Sequence, residues 1–163
     1  MILNQIRNCS LCPRACRATR MEHTGSGACG MGLAPVVARA MPHMWEEPVL
    51  SGIRGAGAVF FSGCALNCVY CQNHGISLGR YGRQISVDRL REIYHELIKE
   101  GAHNINLVNP AHFAEAVLES LNGTLPVPVV WNSGGYDSVE TLRRLEGKIQ
   151  IYLPDMKYAL PEP

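Results

Sequence analysis

The sequence predicts an α/β fold whose parallel strands form a sheet or a partial barrel. Three observations carry this expectation. From residue 57 onward, short apolar runs alternate with stretches of helical period. The units repeat at a length suited to right-handed strand-helix-strand crossovers. Each apolar run is also followed by polar residues, as expected where chemistry gathers at the carboxyl ends of parallel strands.

Taken in order, the elements begin with a cysteine-rich segment, residues 1–35, followed by a connecting segment, 36–57. In the latter, Val36-Val37-Ala38-Arg39-Ala40 reads as a strand before a loop punctuated by Pro42 and Pro48. The adjacent charges Glu46 and Glu47 could face a substrate or merely water, and adjacent charges most often mean water. Gly52-Ile53-Arg54-Gly55-Ala56-Gly57 lacks the ending of a phosphate loop and reads as a turn. Residues 58–163 form the core domain. Ala58-Val59-Phe60-Phe61 is its first buried strand. Ser86 to Glu100 is a helix with Leu90, Ile93, Tyr94, Leu97 and Ile98 on one face and Gly101 at its end. Asn104 to Val108 is the second strand, and Ala111 to Leu121 a helix opened near Pro110 and closed by Asn122-Gly123. Val127 to Trp131 is the third strand, with its proline near the entry. Asp137-x-x-Glu140 has the spacing of a capping box, which opens a helix running to Gly147. Ile149 to Leu153 is the fourth strand.

Composition narrows the function. The chain has 163 residues, 47% hydrophobic and 18% charged, which is ordinary for a domain with a real core. A formal charge of +1 gives no electrostatic case for nucleic acid, so Arg14, Arg17 and Arg20 read as solvated or as neighbours of an anionic metal centre. No stretch reaches the ~20 apolar residues of a membrane span, and Met1 to Arg7 has no signal-peptide core. The expected location is the cytoplasm. There thiols stay reduced, so the seven cysteines point to metal rather than to disulfides.

Those cysteines divide into four and three. Cys9, Cys12, Cys16 and Cys29 stand among glycine-rich turns, and four thiolates make a closed site for a structural zinc or a fully ligated iron-sulfur cluster. Cys64, Cys68 and Cys71 follow the first strand at C-x3-C-x2-C spacing. Three thiolates on a [4Fe-4S] cluster leave one iron open to a substrate or cofactor. A zinc knuckle formed by the same three cysteines with His74 is the competing use of these residues.

The loop Cys64-Ala65-Leu66-Asn67-Cys68-Val69-Tyr70-Cys71, with an aromatic residue before its last cysteine, resembles the cluster loop of the radical S-adenosylmethionine (SAM) superfamily. Within it the chain is most similar to pyruvate formate-lyase activating enzyme-like proteins with an N-terminal four-cysteine segment. That likeness rests on Cys9-Ser10-Leu11-Cys12-Pro13-Arg14-Ala15-Cys16, Glu46-Glu47-Pro48, Ser51-Gly52, Phe61-Ser62-Gly63-Cys64, Cys71-Gln72-Asn73, Gly101 to Val108, and Tyr152-Leu153-Pro154-Asp155-Met156-Lys157-Tyr158.

The resemblance implies a partial parallel (βα) barrel. It also implies reductive cleavage of SAM at the cluster to methionine and a 5'-deoxyadenosyl radical that abstracts hydrogen, with glycyl-radical enzyme activation as the most specific form. It implies an electron donor such as flavodoxin or ferredoxin and a glycyl-radical enzyme as protein substrate. Tyr70 is then expected near the adenine, Asn109 at the SAM amino group with His112 as an alternative, and Asn132, Ser133, Asp155 and Lys157 at its carboxylate and ribose. Two departures stand out: Asn132 replaces an acid of the activases, and Asn109-Pro110-Ala111-His112 replaces their Gly-Gly-Glu. Barrels of this kind close with six strand-helix units, so four strands before Leu160-Pro161-Glu162-Pro163 suggest truncation, with the fourth strand as an open edge. Two functions of other classes compete: a zinc-stabilised binding module and a two-cluster electron carrier.

Overall fold

The computed structural model describes residues 5–157; Tyr158 and the closing Leu160 to Pro163 lie outside the described residues. Two short strands, β1 (Gln5–Ile6) and β2 (Arg20–Met21), pair antiparallel and hold the cysteine-rich segment together. Then follow β3 (Val36–His43), α1 (Pro48–Ser51), β4 (Ala56–Phe61), α2 (His74–Ser77), β5 (Arg83–Gln84) and α3 (Val87–Lys99). The remaining elements are β6 (Ile105–Val108), a 3-10 turn (Ala111–Phe113), α4 (Ala114–Ser120), β7 (Val129–Ser133), α5 (Val139–Leu145) and β8 (Ile151–Pro154).

Six strands form the main sheet in the order β5-β3-β4-β6-β7-β8. The four expected strands are its parallel part, with Val59 opposite Leu107, Leu107 opposite Trp131 and Trp131 opposite Tyr152. Two antiparallel strands are added beyond β4. Residues 36–57 therefore do more than connect: β3 runs on past Ala40 to His43 and pairs along the whole of β4. Pro42 is tolerated because β5 bonds only to Val36 and Val37, which leaves the outer edge of β3 without a ladder to interrupt at that point.

Strand alternation divides the sheet into two faces. Val59, Phe61, Ile105, Leu107, Val129 and Trp131 pack with Leu90, Tyr94, Leu97, Phe113, Val117 and Leu145 into the main core. The opposite face carries Ala58, Asn106 and Val130 in one row, and Asn132 beside Leu153 further along. The segment around α1 is tied to it, because Asn104 Nδ2 donates to the Leu50 carbonyl at 2.8 Å and Asn106 Nδ2 to Glu46 Oε2 at 2.6 Å.

Helix starts follow local chemistry. Ser86 caps α3 by accepting from Arg89 N. For α5 the expected cap shifts by one residue: Ser138, rather than Asp137, accepts from Thr141 N. Asp137 is engaged by Trp131 Nε1 (3.1 Å) and Ser133 Oγ (2.5 Å), and a carboxylate drawn onto two tertiary donors is lost to the cap. At the margin, β8 is half-buried at Ile151 and Leu153 and 43% exposed at Tyr152, whereas Val59 and Leu107 are fully buried.

Candidate metal centre and cofactor cleft

The cysteine loop leaves the carboxyl end of β4 through Ser62 and Gly63. Gly63 has φ +78°, and a Cβ there would lie 2.6 Å from Met31 Cγ and 2.8 Å from the Cys29 carbonyl. Only glycine permits both the turn and this approach. The N-terminal cysteine segment is thus packed directly against the root of the second cysteine group.

Cys64, Cys68 and Cys71 are half-buried and line one cleft of about 340 Å³ at the carboxyl ends of the parallel strands. Tyr70, Asn109, Asn132, Ser133, Asp155 and Lys157 line the same cleft. Every position expected to touch a cofactor, apart from the alternative His112, therefore meets the three thiols in one space, although Asn132 lies 61 residues beyond Cys71 in the chain. His74 opens α2 and is not among the lining residues.

The surroundings of the sulfurs suit thiolate ligands. Leu66 N donates to Cys64 Sγ at 3.4 Å and Ser77 Oγ to Cys71 Sγ at 3.2 Å, the kind of hydrogen bond that stabilises charge on cluster sulfur. Lys157 is held in its charged form first by its hydrogen bond to Asp155, and further by the charges of Cys68 and Cys71. A cluster carrying net negative charge finds a cation at its side. Among the described residues, no three histidine, cysteine, aspartate or glutamate side chains are gathered as a ready-made set for a single metal ion. Three thiols around a shared cleft, with donors on two of their sulfurs, fit a cluster, which spans a wider body than one ion.

The other cleft residues differ in what they offer. Asn109 Nδ2 donates to the Gly63 carbonyl at 3.2 Å, so its Oδ1 is left as the acceptor. Ser133 is committed to the turn, donating to Asp137 Oδ2 and accepting from Gly135 N at 3.1 Å. His112 is buried outside the cleft, and its Nε2 donates to the Ser62 carbonyl at 2.7 Å. Burial lowers its pKa to about 4, so it is neutral near pH 7 and supports the loop from behind. Tyr70 is 54% exposed at the rim.

In the N-terminal segment Cys9 and Cys29 are buried, Cys12 is half-buried and Cys16 exposed. Backbone bonds from Cys9 N to the Ala18 carbonyl and from Arg17 N to the Cys9 carbonyl, both 3.0 Å, close the loop. Burial raises the Cys12 pKa against a backbone hydrogen bond from Arg14 that lowers it, and the charges of Cys9, Cys29 and Cys16 raise it further. Backbone amides, that of Ala18 foremost, lower that of Cys16.

Arg14 and Arg17 are exposed, as solvated arginines are, but Arg20 is 1% exposed. Its guanidinium donates to the Met31 (3.1 Å), His112 (2.6 Å) and Gly32 carbonyls and stands 3.9 Å from Cys9 Sγ. A second residue read as solvated, Glu46, reaches the sheet instead, where its Oε2 accepts from both Asn106 and Asn132. The available sequence signal was the pair of asparagines in otherwise apolar strands, since buried amides require partners.

Comparisons with known proteins agree with iron-sulfur chemistry. The family described as 4Fe-4S single cluster domain matches residues 51–152, more than half of the chain and the part that holds Cys64, Cys68 and Cys71. An uncharacterized protein of Methanocaldococcus jannaschii is 30% identical over 164 residues, covering 95% of this chain and 47% of that protein. The chain thus spans about half the length of that curated relative. No solved structure matches it.

Proposed function

The chain belongs to the 4Fe-4S single cluster domain family, and from that premise we propose that it is a radical SAM protein of the activating-enzyme-like kind. Cys64, Cys68 and Cys71 hold the cluster, and SAM occupies the cleft beside it. The observation that carries this reading is that one cleft is lined by all three thiols together with Tyr70, Asn109, Asn132, Asp155 and Lys157. With three thiolates, the cluster retains an iron for an amino acid chelate. Cluster and SAM together supply one-electron reductive cleavage and hydrogen abstraction.

The chain's own residues hold and orient. Leu66 N and Ser77 Oγ stabilise the ligand sulfurs. Asn109 presents Oδ1 to an ammonium, and Lys157 offers positive charge to a carboxylate. Tyr70 covers the adenine at the rim. Ser133 acts through the turn it braces, with Asp137, rather than by contact. The sheet is read as part of a partial barrel, with α3, α4 and α5 on the outside and the face bearing Asn106 and Asn132, to which the α1 segment is tied, on the inside. Cys9, Cys12, Cys16 and Cys29 are read as a second metal site, for a closed cluster or for a zinc ion that draws the four sulfurs together, since as they stand they are not gathered for a single ion; the site docks on the first through Cys29 and Gly63. A flavodoxin- or ferredoxin-type donor and a protein glycine as substrate complete the proposal.

The test is anaerobic reconstitution with iron and sulfide, followed by incubation with dithionite and SAM. Formation of 5'-deoxyadenosine that disappears in Cys68→Ala supports the reading. A colourless protein that carries zinc and forms none would replace it with a zinc-stabilised binding module.

A further inference from the structure

Asn106 and Asn132 stand on neighbouring strands, on the sheet face turned away from the main core. Amides there are costly unless they are paired. Asn106 is fully buried, and its Nδ2 donates to Glu46 Oε2 at 2.6 Å; Asn132 Nδ2 donates to the same oxygen at 3.1 Å. Glu46 arrives from the loop before α1, where Ser51 Oγ holds its carbonyl at 3.0 Å and Asn104 holds that of Leu50. The carboxylate is therefore presented to the sheet by a braced turn.

An ionised carboxylate only accepts, so it fixes the sense of both amides. The nitrogen of each side chain must turn to Glu46 and the oxygen away from it. For Asn106 this leaves Oδ1 buried without a donor among the described residues, so the amide is held through its nitrogen alone. Asn132 differs because it also lines the cofactor cleft. Its side chain makes no other hydrogen bond among the described residues.

We infer that Glu46 is a positioning residue: by holding Asn132 Nδ2 it turns Oδ1 to the cleft, so that this wall accepts hydroxyl or ammonium donors of the ligand and disfavours carboxylates. The ligand part of this inference rests on the reading of the cleft as a SAM site. Glu46 thereby orients the ligand from outside the cleft. An asparagine can then serve where the activases carry an acid, because the negative charge comes from another segment and stands one hydrogen bond behind the wall.

The experiment is a double-mutant cycle on the anaerobically reconstituted protein, read by the dissociation constant for SAM and by the thermal midpoint. Glu46→Ala and Asn132→Ala should each weaken SAM binding about tenfold, the size of one charge-assisted hydrogen bond, with iron content unchanged. The double variant should be no weaker than either single one. Additive losses, or an unchanged constant in Glu46→Ala, would overturn the inference.

The swap Glu46→Gln with Asn132→Asp gives a second readout. Asn132→Asp alone sets two carboxylates together and should lower the midpoint and weaken SAM. Adding Glu46→Gln puts an amide nitrogen in the place of Oε2, with one hydrogen for the new carboxylate and one for Asn106 Oδ1 once that amide turns over, and should restore both. No recovery of the midpoint overturns the pairing. Recovery of the midpoint in a protein whose wild type takes up no SAM upholds the pairing and overturns the choice of ligand.

Discussion

At the scale of one residue, Cys71 has the setting that a cluster ligand needs: it is half-buried at a cleft wall that Lys157 also lines, with a hydroxyl donor 3.2 Å from its sulfur. Because none of the three loop cysteines belongs to the main core, replacing any one should remove the cluster and spare the fold. Cys64→Ala, Cys68→Ala and Cys71→Ala are each expected to lose iron and visible absorption, with a thermal midpoint for the metal-free protein within a few degrees of wild type. His112 makes a prediction in pH. Its pKa falls from the ordinary 6.5 unfolded to about 4 folded, so the unfolded chain takes the proton first. The neutral form's contribution is whole above pH 6.5 and is lost as pH falls towards 4, about 3 kcal/mol in all. Denaturant titrations of the metal-free protein should show this loss, and His112→Gln should flatten it. The cysteines were legible because their spacing is local. Arg20 and Glu46 were not, because their partners lie up to 92 and 86 residues away and a charged residue carries no mark of burial in its own neighbourhood.

At the scale of elements, helical and strand periods located α3 and the parallel strands to within a few residues, since their buried faces repeat regularly. Three things were hidden. β5 is two residues long and has no period to detect. β3 carries a proline that reads as a loop, and only the absence of a partner on its outer edge permits the strand to continue. The start of α5 was displaced because Asp137 is taken by Trp131 and Ser133. The junction between the cysteine loop and the N-terminal segment supplies the test at this scale. Gly63→Ala meets Met31 and the Cys29 carbonyl and strains a left-handed turn. It should cost about 1–3 kcal/mol of stability, measured by denaturant unfolding, and lower iron uptake. Gly123→Ala, with nothing near its Cβ and φ +107°, is the control for conformational strain without the clash.

Across the whole molecule, the N-terminal segment and the sheet are joined at Arg20, whose guanidinium ties Met31 and Gly32 to the turn that carries His112, and at Leu11, whose carbonyl accepts from Thr141 Oγ1 at 2.7 Å. Arg20→Met should strand buried carbonyls and lower stability by roughly 3 kcal/mol or more, since each unpaired buried group costs about 1–3 kcal/mol. The alternation of strands and helices made the parallel part of the sheet legible at this scale, while the docking of the two cysteine groups was not, because it depends on contacts between segments far apart in sequence. The central claim is that Cys64, Cys68 and Cys71 hold a four-iron cluster with a site left for SAM. It is tested most directly by electron paramagnetic resonance of the reconstituted, reduced protein in which Cys9, Cys12, Cys16 and Cys29 are replaced by alanine. About four irons per chain and a reduced-cluster signal that changes when SAM is added are the predicted result. A signal indifferent to SAM, or a chain that retains no iron while its fold persists, would contradict it.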